Sequence, residues 1–92
     1  MTIRQSGIFR RSVKKLSPQQ KLKLDEAIRK IVANPENGEK KKGDLQNVFF
    51  FKFEINDSNY LLAYSFSSEV IDLIMLGPHE NYYRDLKNYL DS

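Results

Sequence analysis

The sequence predicts an α+β fold in which an antiparallel pair of N-terminal helices covers one face of a β-meander and a last helix closes the chain. Three observations predict it. Apolar residues recur at helical spacing through the first third of the chain. Strand-like runs separated by turn-forming residues fill residues 48–76, and a second helical pattern follows Gly77-Pro78. The 92 residues make one domain, 1–92, with a single modest core.

Thr2, Ile3, Arg4 and Gln5 alternate apolar and polar and read as a short edge strand, after which Ser6 caps a helix. In that helix Ile8, Phe9, Val13 and Leu16 recur at helical spacing, and Arg10, Arg11, Lys14 and Lys15 fill the other face. Ser17-Pro18 is an N-cap followed by a proline at the first helical position. Leu24, Ala27, Ile28, Ile31 and Val32 then form an apolar stripe that ends near Asn34-Pro35. The short join makes the two helices an antiparallel hairpin with one apolar seam available to a sheet.

Residues 36–44 contain two glycines, three successive lysines and no large apolar residue, and they read as a loop. In the strand that follows, the odd positions Phe49, Phe51, Phe53 and Ile55 are apolar and should face the helices. The even positions, with Lys52 and Glu54, should face away, which leaves Phe50 as an exposed aromatic unless something covers it. Residues 56–59 form a turn, 60–66 a strand, Ser67-Ser68 a turn and 70–76 the last strand, broken by Gly77-Pro78. Glu80, Asp85 and the stripe Leu86, Tyr89, Leu90 describe the final helix, acidic in its first turn as the helix dipole prefers. The order is β-α-α-β-β-β-α.

Composition narrows the function classes. Forty per cent apolar and 12% aromatic residues are enough for a folded core. The absence of cysteine removes disulfides and thiolate metal sites, and a single histidine disfavours a histidine metal site, so no metal or cofactor is expected. A cysteine-free chain suits the reducing cytoplasm. The longest apolar runs are strand length, and the N-terminus has no secretory apolar segment, so no membrane partner is expected. Charge is sorted along the chain: residues 1–52 hold 13 Lys/Arg against 5 Asp/Glu, a local +8, and residues 53–92 hold 2 against 7, a local −5. That sorting suits a polyanion-facing side and a side for a basic partner; its bland alternative is ordinary solvated charge. Lys40, Lys41 and Lys42, followed by glycine, suit backbone-phosphate contact in the same way.

The densest polar chemistry lies at the end of the last strand. Within six residues of Pro78 come His79, Glu80, Asn81, Tyr82, Tyr83 and Arg84. His79 is the one histidine of the chain and the residue type that titrates nearest neutrality. Glu80 reads as a helix-start carboxylate. Of the two tyrosines, Tyr82 is the better candidate for core packing and Tyr83 for facing the corner, a choice the spacing alone leaves open.

Several separated features then coincide: Phe9, Lys14, Lys15 and Leu16 in the first helix, Asn34-Pro35 closing the second, and Lys42-Gly43-Asp44-Leu45 leading into an aromatic strand. Together with Tyr60-Leu61-Leu62-Ala63-Tyr64 and the His79-Glu80-Asn81-Tyr82-Tyr83 corner, they resemble the RelE/ParE superfamily of bacterial type II toxin–antitoxin toxins over nearly the whole chain. The resemblance implies a curved antiparallel sheet with a helical hairpin on one face, and a cognate antitoxin protein as partner. It also implies one of two targets. RelE-like members enter the ribosome and cut mRNA; ParE-like members inhibit DNA gyrase without nuclease activity.

RNA cleavage requires deprotonation of the ribose 2′-hydroxyl, stabilisation of the phosphorane charge and protonation of the leaving 5′-oxygen. By the resemblance, Lys52 holds the phosphate-binding position of the first meander strand, and His79 and Tyr83 match the histidine-x-x-x-aromatic catalytic corner, Tyr83 to stack on a nucleobase or to orient the phosphate. Arg10, Arg11, Lys14 and Lys15 are then expected to contact ribosomal RNA. The family's middle-strand arginine is missing, with Leu61 in its place, so Arg84 or the 40–42 lysines would have to supply that cation. The leading expectation is a ribosome-dependent mRNA endonuclease that arrests growth, and the alternative is a non-enzymatic gyrase inhibitor.

Overall fold

In the computed structural model, which describes residues 2–40, 47–80 and 82–91, two serines start the N-terminal helices. Strand β1 (Thr2–Gln5) ends at Ser6, whose hydroxyl accepts from the Phe9 amide at 3.0 Å and caps α1 (Gly7–Lys14). Ser17 and Gln20 form a reciprocal capping box around Pro18, and α2 (Pro18–Ala33) follows. After α2, the Asn34 side chain accepts from the Glu36 amide at 3.2 Å and holds a single tight turn at Pro35–Asn37.

That turn redirects the chain into a strand the sequence reading missed. Strand β2 (Glu39–Lys40) pairs antiparallel with Phe49 and Phe50, inside the stretch read as loop. Its two residues are too few for any alternation to be seen, so only the partner strand defines it. Strands β3 (Phe49–Ile55), β4 (Ser58–Ser67) and β5 (Val70–Pro78) form the expected meander, and α3 (Tyr82–Asp91) closes the chain.

The sheet order is β1-β5-β4-β3-β2. β1 runs parallel to β5, with Ile3 opposite Ile71 and Arg4 opposite Asp72, so the sheet is mixed where an antiparallel one was expected. The cause is topological: β1 is separated from β5 by two helices and the whole meander, a crossover long enough to bring the chain back in the same direction.

Gly77-Pro78 does not break β5. Leu61 pairs with Gly77 and Tyr60 with Pro78. The proline is tolerated because β1 reaches only as far as Leu73, leaving that flank of β5 without a strand neighbour. Earlier in the strand, Ala63 pairs with Met75 but Tyr64 with Leu73, so Ile74 is the extra residue of a β-bulge.

The two faces of the sheet carry separate apolar clusters. Phe49, Phe51 and Phe53 face Phe9, Leu24 and Ile31 of the N-terminal helices, as the odd-position pattern predicts. The other face is not open. Val48, Phe50, Leu61, Ala63 and Met75 pack beneath Tyr82 and Leu86 of α3, and Phe50 is 3% exposed. Each large side chain so buried contributes about 1.5–3 kcal/mol. Only the first half of α3 takes part. Leu86 is buried, but Tyr89 and Leu90, the rest of the expected stripe, are 37% and 42% exposed. Glu80 lies in the turn before the helix, leaving Asp85 as the acidic residue of its first turn.

Candidate functional site

The corner after β5 is held at both ends by its backbone. The His79 amide donates to the Asn59 carbonyl at 3.0 Å, and the Tyr82 amide donates back to the His79 carbonyl at 3.2 Å. The imidazole of His79 is left exposed. Its ring meets Tyr83 edge to face, centroids 5.9 Å apart and planes at 88°. Tyr83 is half-buried and is backed by Phe50 at 5.0 Å and Tyr82 at 5.9 Å.

The structure therefore decides between the two tyrosines. Tyr83 faces His79, and Tyr82 is buried with 1% exposure. Tyr82 is nonetheless not simple packing, because its hydroxyl accepts from the Ala63 amide at 2.9 Å and donates to the Met75 carbonyl at 2.5 Å. Burial pushes its phenol far above the ordinary range, the Ala63 hydrogen bond opposing only part of the rise. A phenol so placed stays neutral and does no proton transfer near neutral pH. Sequence reasoning missed both this bond and the support from Phe50, since neither leaves a signal in spacing.

Lys52 is exposed and shares a row with Leu61 and Gly77, two strands across from β5 on the face that carries α3. It also borders a polar cleft of about 250 Å³ with Glu54 and with Lys23, Glu26 and Lys30 of α2. Between Lys52 and the corner lies Leu61, 3% exposed and packed into the α3 cluster, so no charge occupies the middle of the row. Arg84, one residue past Tyr83, is exposed and 3.8 Å from Asp85.

The other basic candidates are not gathered at this corner. Lys40 sits over the Phe49 ring, 5.9 Å from its centroid, at the far end of β3 and on the helix face of the sheet. Arg10, Arg11, Lys14 and Lys15 are exposed around α1, which packs over β5 on that helix face. Of these, Lys15 comes nearest the strand end. It lines a cleft of about 230 Å³ with Ser12, Gln20, Tyr60, Gly77 and Pro78. Lys41 and Lys42 lie outside the described residues. Among the described residues no three His, Asp or Glu side chains converge as a metal site would require, and no helix is long and apolar enough to cross a membrane.

The arrangement defines an α+β protein with paired N-terminal helices, which sets an exposed imidazole against a tyrosine where the last strand meets the last helix. Residues 3–87 match the model of the ParE-like toxins of type II bacterial toxin–antitoxin systems, and the chain belongs to that family, within the RelE/ParE superfamily. Solved structures agree in fold. A double arginine-to-alanine mutant of Escherichia coli RelE in the free state is 17% identical, with a TM-score of 0.72 over 97% of this chain and 96% of that one. A chain of the intact E. coli RelBE toxin–antitoxin complex is 18% identical, with a TM-score of 0.68 over 86% of this chain and 96% of that one. The YoeB/ParE toxin of Agrobacterium tumefaciens is 17% identical, with a TM-score of 0.65 over 86% and 99%. No curated protein matches the chain.

Proposed function

We propose that this toxin arrests growth as a ribosome-dependent mRNA endonuclease of the cytoplasm, held inactive by a cognate antitoxin. The observation that carries the reading is the His79–Tyr83 pair, an exposed imidazole set edge-on to a half-buried phenol at the end of a braced strand. Fold alone does not choose a target within this superfamily, so the choice rests on these side chains.

In the cleavage step the 2′-oxygen attacks the adjacent phosphorus, the bond to the 5′-oxygen breaks, and a cyclic phosphate is left. One proton leaves the 2′-hydroxyl and one is delivered to the 5′-oxygen. His79 carries one of these transfers and solvent water the other, so that the proton lost at the 2′-oxygen is balanced by the one gained at the 5′-oxygen. Tyr83, fixed from behind by Phe50, offers a face on which a base of single-stranded mRNA stacks. Lys52, on the same sheet face, holds phosphate, and Arg84 lies within one residue of the corner. With Leu61 between Lys52 and Gly77, ribosomal RNA or bound cations on the ribosome supply the remaining charge stabilisation. The basic face of α1, with Arg10, Arg11, Lys14 and Lys15, provides sequence-independent attraction to that RNA.

Leu61 also favours a second reading, a ParE-like gyrase inhibitor that acts by binding alone. The two separate in one paired experiment. Purified toxin is added to a reconstituted translation reaction with mapping of mRNA 5′ ends, and in parallel to a gyrase supercoiling reaction. New 5′ ends that require ribosomes support the nuclease; blocked supercoiling with intact mRNA replaces it with the second reading.

A further inference from the structure

We infer that Tyr82 is a positioning residue for the His79–Tyr83 pair, acting through a hydroxyl inserted into the β4–β5 ladder at the Ile74 bulge. The inference rests on that pair being the working corner. Ala63 and Met75 oppose one another across the two strands, beside the extra residue Ile74. Tyr82 occupies the space between them: Ala63 N–H donates to the Tyr82 hydroxyl at 2.9 Å, and the same hydroxyl donates to the Met75 carbonyl at 2.5 Å. One side chain thus satisfies a donor and an acceptor that the bulge pulls apart, at 1% exposure.

The consequence reaches the corner through three covalent and hydrogen-bonded steps. Tyr82 is the first residue of α3, its amide is tied to the His79 carbonyl, and the next residue is Tyr83. Fixing the Tyr82 ring at its far end therefore fixes both the turn that presents the imidazole and the helix start that presents the phenol. The bulge is gripped from its other side as well. Ser6, the cap of α1, donates its hydroxyl to the Ile74 carbonyl at 2.5 Å, and its amide donates to Leu73 at 3.0 Å. Helices on opposite faces of the sheet are thus anchored on three consecutive residues of β5. Tyr64 gives a natural contrast, since its hydroxyl bonds Gly38 and Pro35, away from this corner.

The test compares Tyr82→Phe, Ser6→Ala and Tyr64→Phe with the parent chain, each confirmed as folded by its amide spectrum. His79 is the single histidine, so its ring proton resonances are assigned without ambiguity, and the ring current of Tyr83 makes them report the pair's geometry. Tyr82→Phe is expected to shift the His79 resonances, Ser6→Ala to shift them in the same sense, and Tyr64→Phe to leave them in place. In the ribosomal cleavage assay Tyr82→Phe should lower the rate at saturating toxin roughly 10- to 100-fold while leaving the half-saturating concentration within about twofold. Unmoved His79 resonances in a folded Tyr82→Phe overturn the inference, as does an equal shift in Tyr64→Phe. Should Tyr82→Phe not fold, Ser6→Ala decides. Should the parent chain itself not cleave mRNA, the nuclease reading fails and the resonances alone decide the positioning role.

Discussion

The hydroxyl of Tyr64 accepts a hydrogen bond from the Gly38 amide at 2.9 Å, and a Cβ added at Gly38 would lie 2.5 Å from that oxygen. The same hydroxyl donates to the Pro35 carbonyl at 2.6 Å, so one fully buried tyrosine pins the turn that sends the chain into β2. Gly38 is glycine for space, because its φ of −79° is open to any residue. Gly38→Ala is expected to cost roughly 1–3 kcal/mol by overpacking. Tyr64→Phe should cost about 1–2 kcal/mol, through a Gly38 amide and a Pro35 carbonyl left unpaired. The double variant should cost less than the sum, since removing the hydroxyl makes room for the methyl. Denaturant unfolding of the four proteins measures the coupling, and strict additivity would refute it.

At the corner, His79→Ala and Tyr83→Ala are each expected to abolish growth arrest on induction while antitoxin binding is retained. His79 is exposed, so its removal should change stability by no more than about 0.5 kcal/mol. Lys52→Ala should weaken arrest less, having lost one phosphate contact at the rim. Growth curves and co-purification with antitoxin check all three; full toxicity of both His79→Ala and Tyr83→Ala would end the catalytic assignment.

Restoring an arginine at position 61 should fail. Leu61 is 3% exposed beneath α3, and a guanidinium there meets Val48, Phe50, Ala63 and Leu86 with no carboxylate among the cluster. Leu61→Arg is expected to cost roughly 3 kcal/mol or more, the penalty for an uncompensated buried charge. A melting temperature unchanged from the parent, with raised toxicity, would show that the side chain escapes to the surface beside Lys52.

The first half of α3 should contribute most of the helix's apolar packing. Leu86→Ala removes a fully buried side chain and is expected to cost about 2–5 kcal/mol, whereas Leu90→Ala, at a position 42% exposed, should stay within about 0.5 kcal/mol. Chemical denaturation of the two variants compares them directly, and similar losses would mean that the helix packs along its whole length.

Two pH effects follow from the shifted groups. Burial raises the phenols of Tyr82 and Tyr64 above their ordinary value of 10.0, so below pH 10 they are neutral in both folded and unfolded chains and their burial is unopposed. Above it the unfolded chain ionises first, and stability should fall with a slope of up to about 1.4 kcal/mol per pH unit for each such tyrosine. Tyr82→Phe should flatten that slope between about pH 10 and 12. On the acid side, the hydrogen-bonded Arg4 holds the Asp72 carboxyl below its ordinary value of 3.8, the pair meeting at 2.6 and 3.0 Å. Its contribution is present above that value and lost as pH falls through the lowered one, and because the pair is exposed the change should be small. Melting curves of the parent and Asp72→Asn across pH 2–6 check it: the difference between them should vanish at the acid end.

Much of this molecule is determined locally and was legible for that reason. Ser6, Ser17-Pro18 and Asn34-Pro35 set the helix limits through bonds to residues within three or four positions, and the odd-numbered phenylalanines of β3 declare the helix-facing side by alternation alone. His79 and Tyr83 could be paired through the resemblance, whose histidine-x-x-x-aromatic spacing they match, although His79 itself lies in the turn before α3. What only the tertiary structure decided depends on neighbours distant in sequence. β2 exists because Phe49 and Phe50 are there to pair with it, β1 is parallel because of where the meander ends, and Pro78 stays in a strand because β1 stops short. Phe50, an exposed aromatic by its pattern, is core because α3 lies over it. Tyr82, which the sequence favours for the core without assigning it a bond, is the one whose ring reaches the bulge at Ile74, since that bulge arises from the register of two strands and from no motif within either.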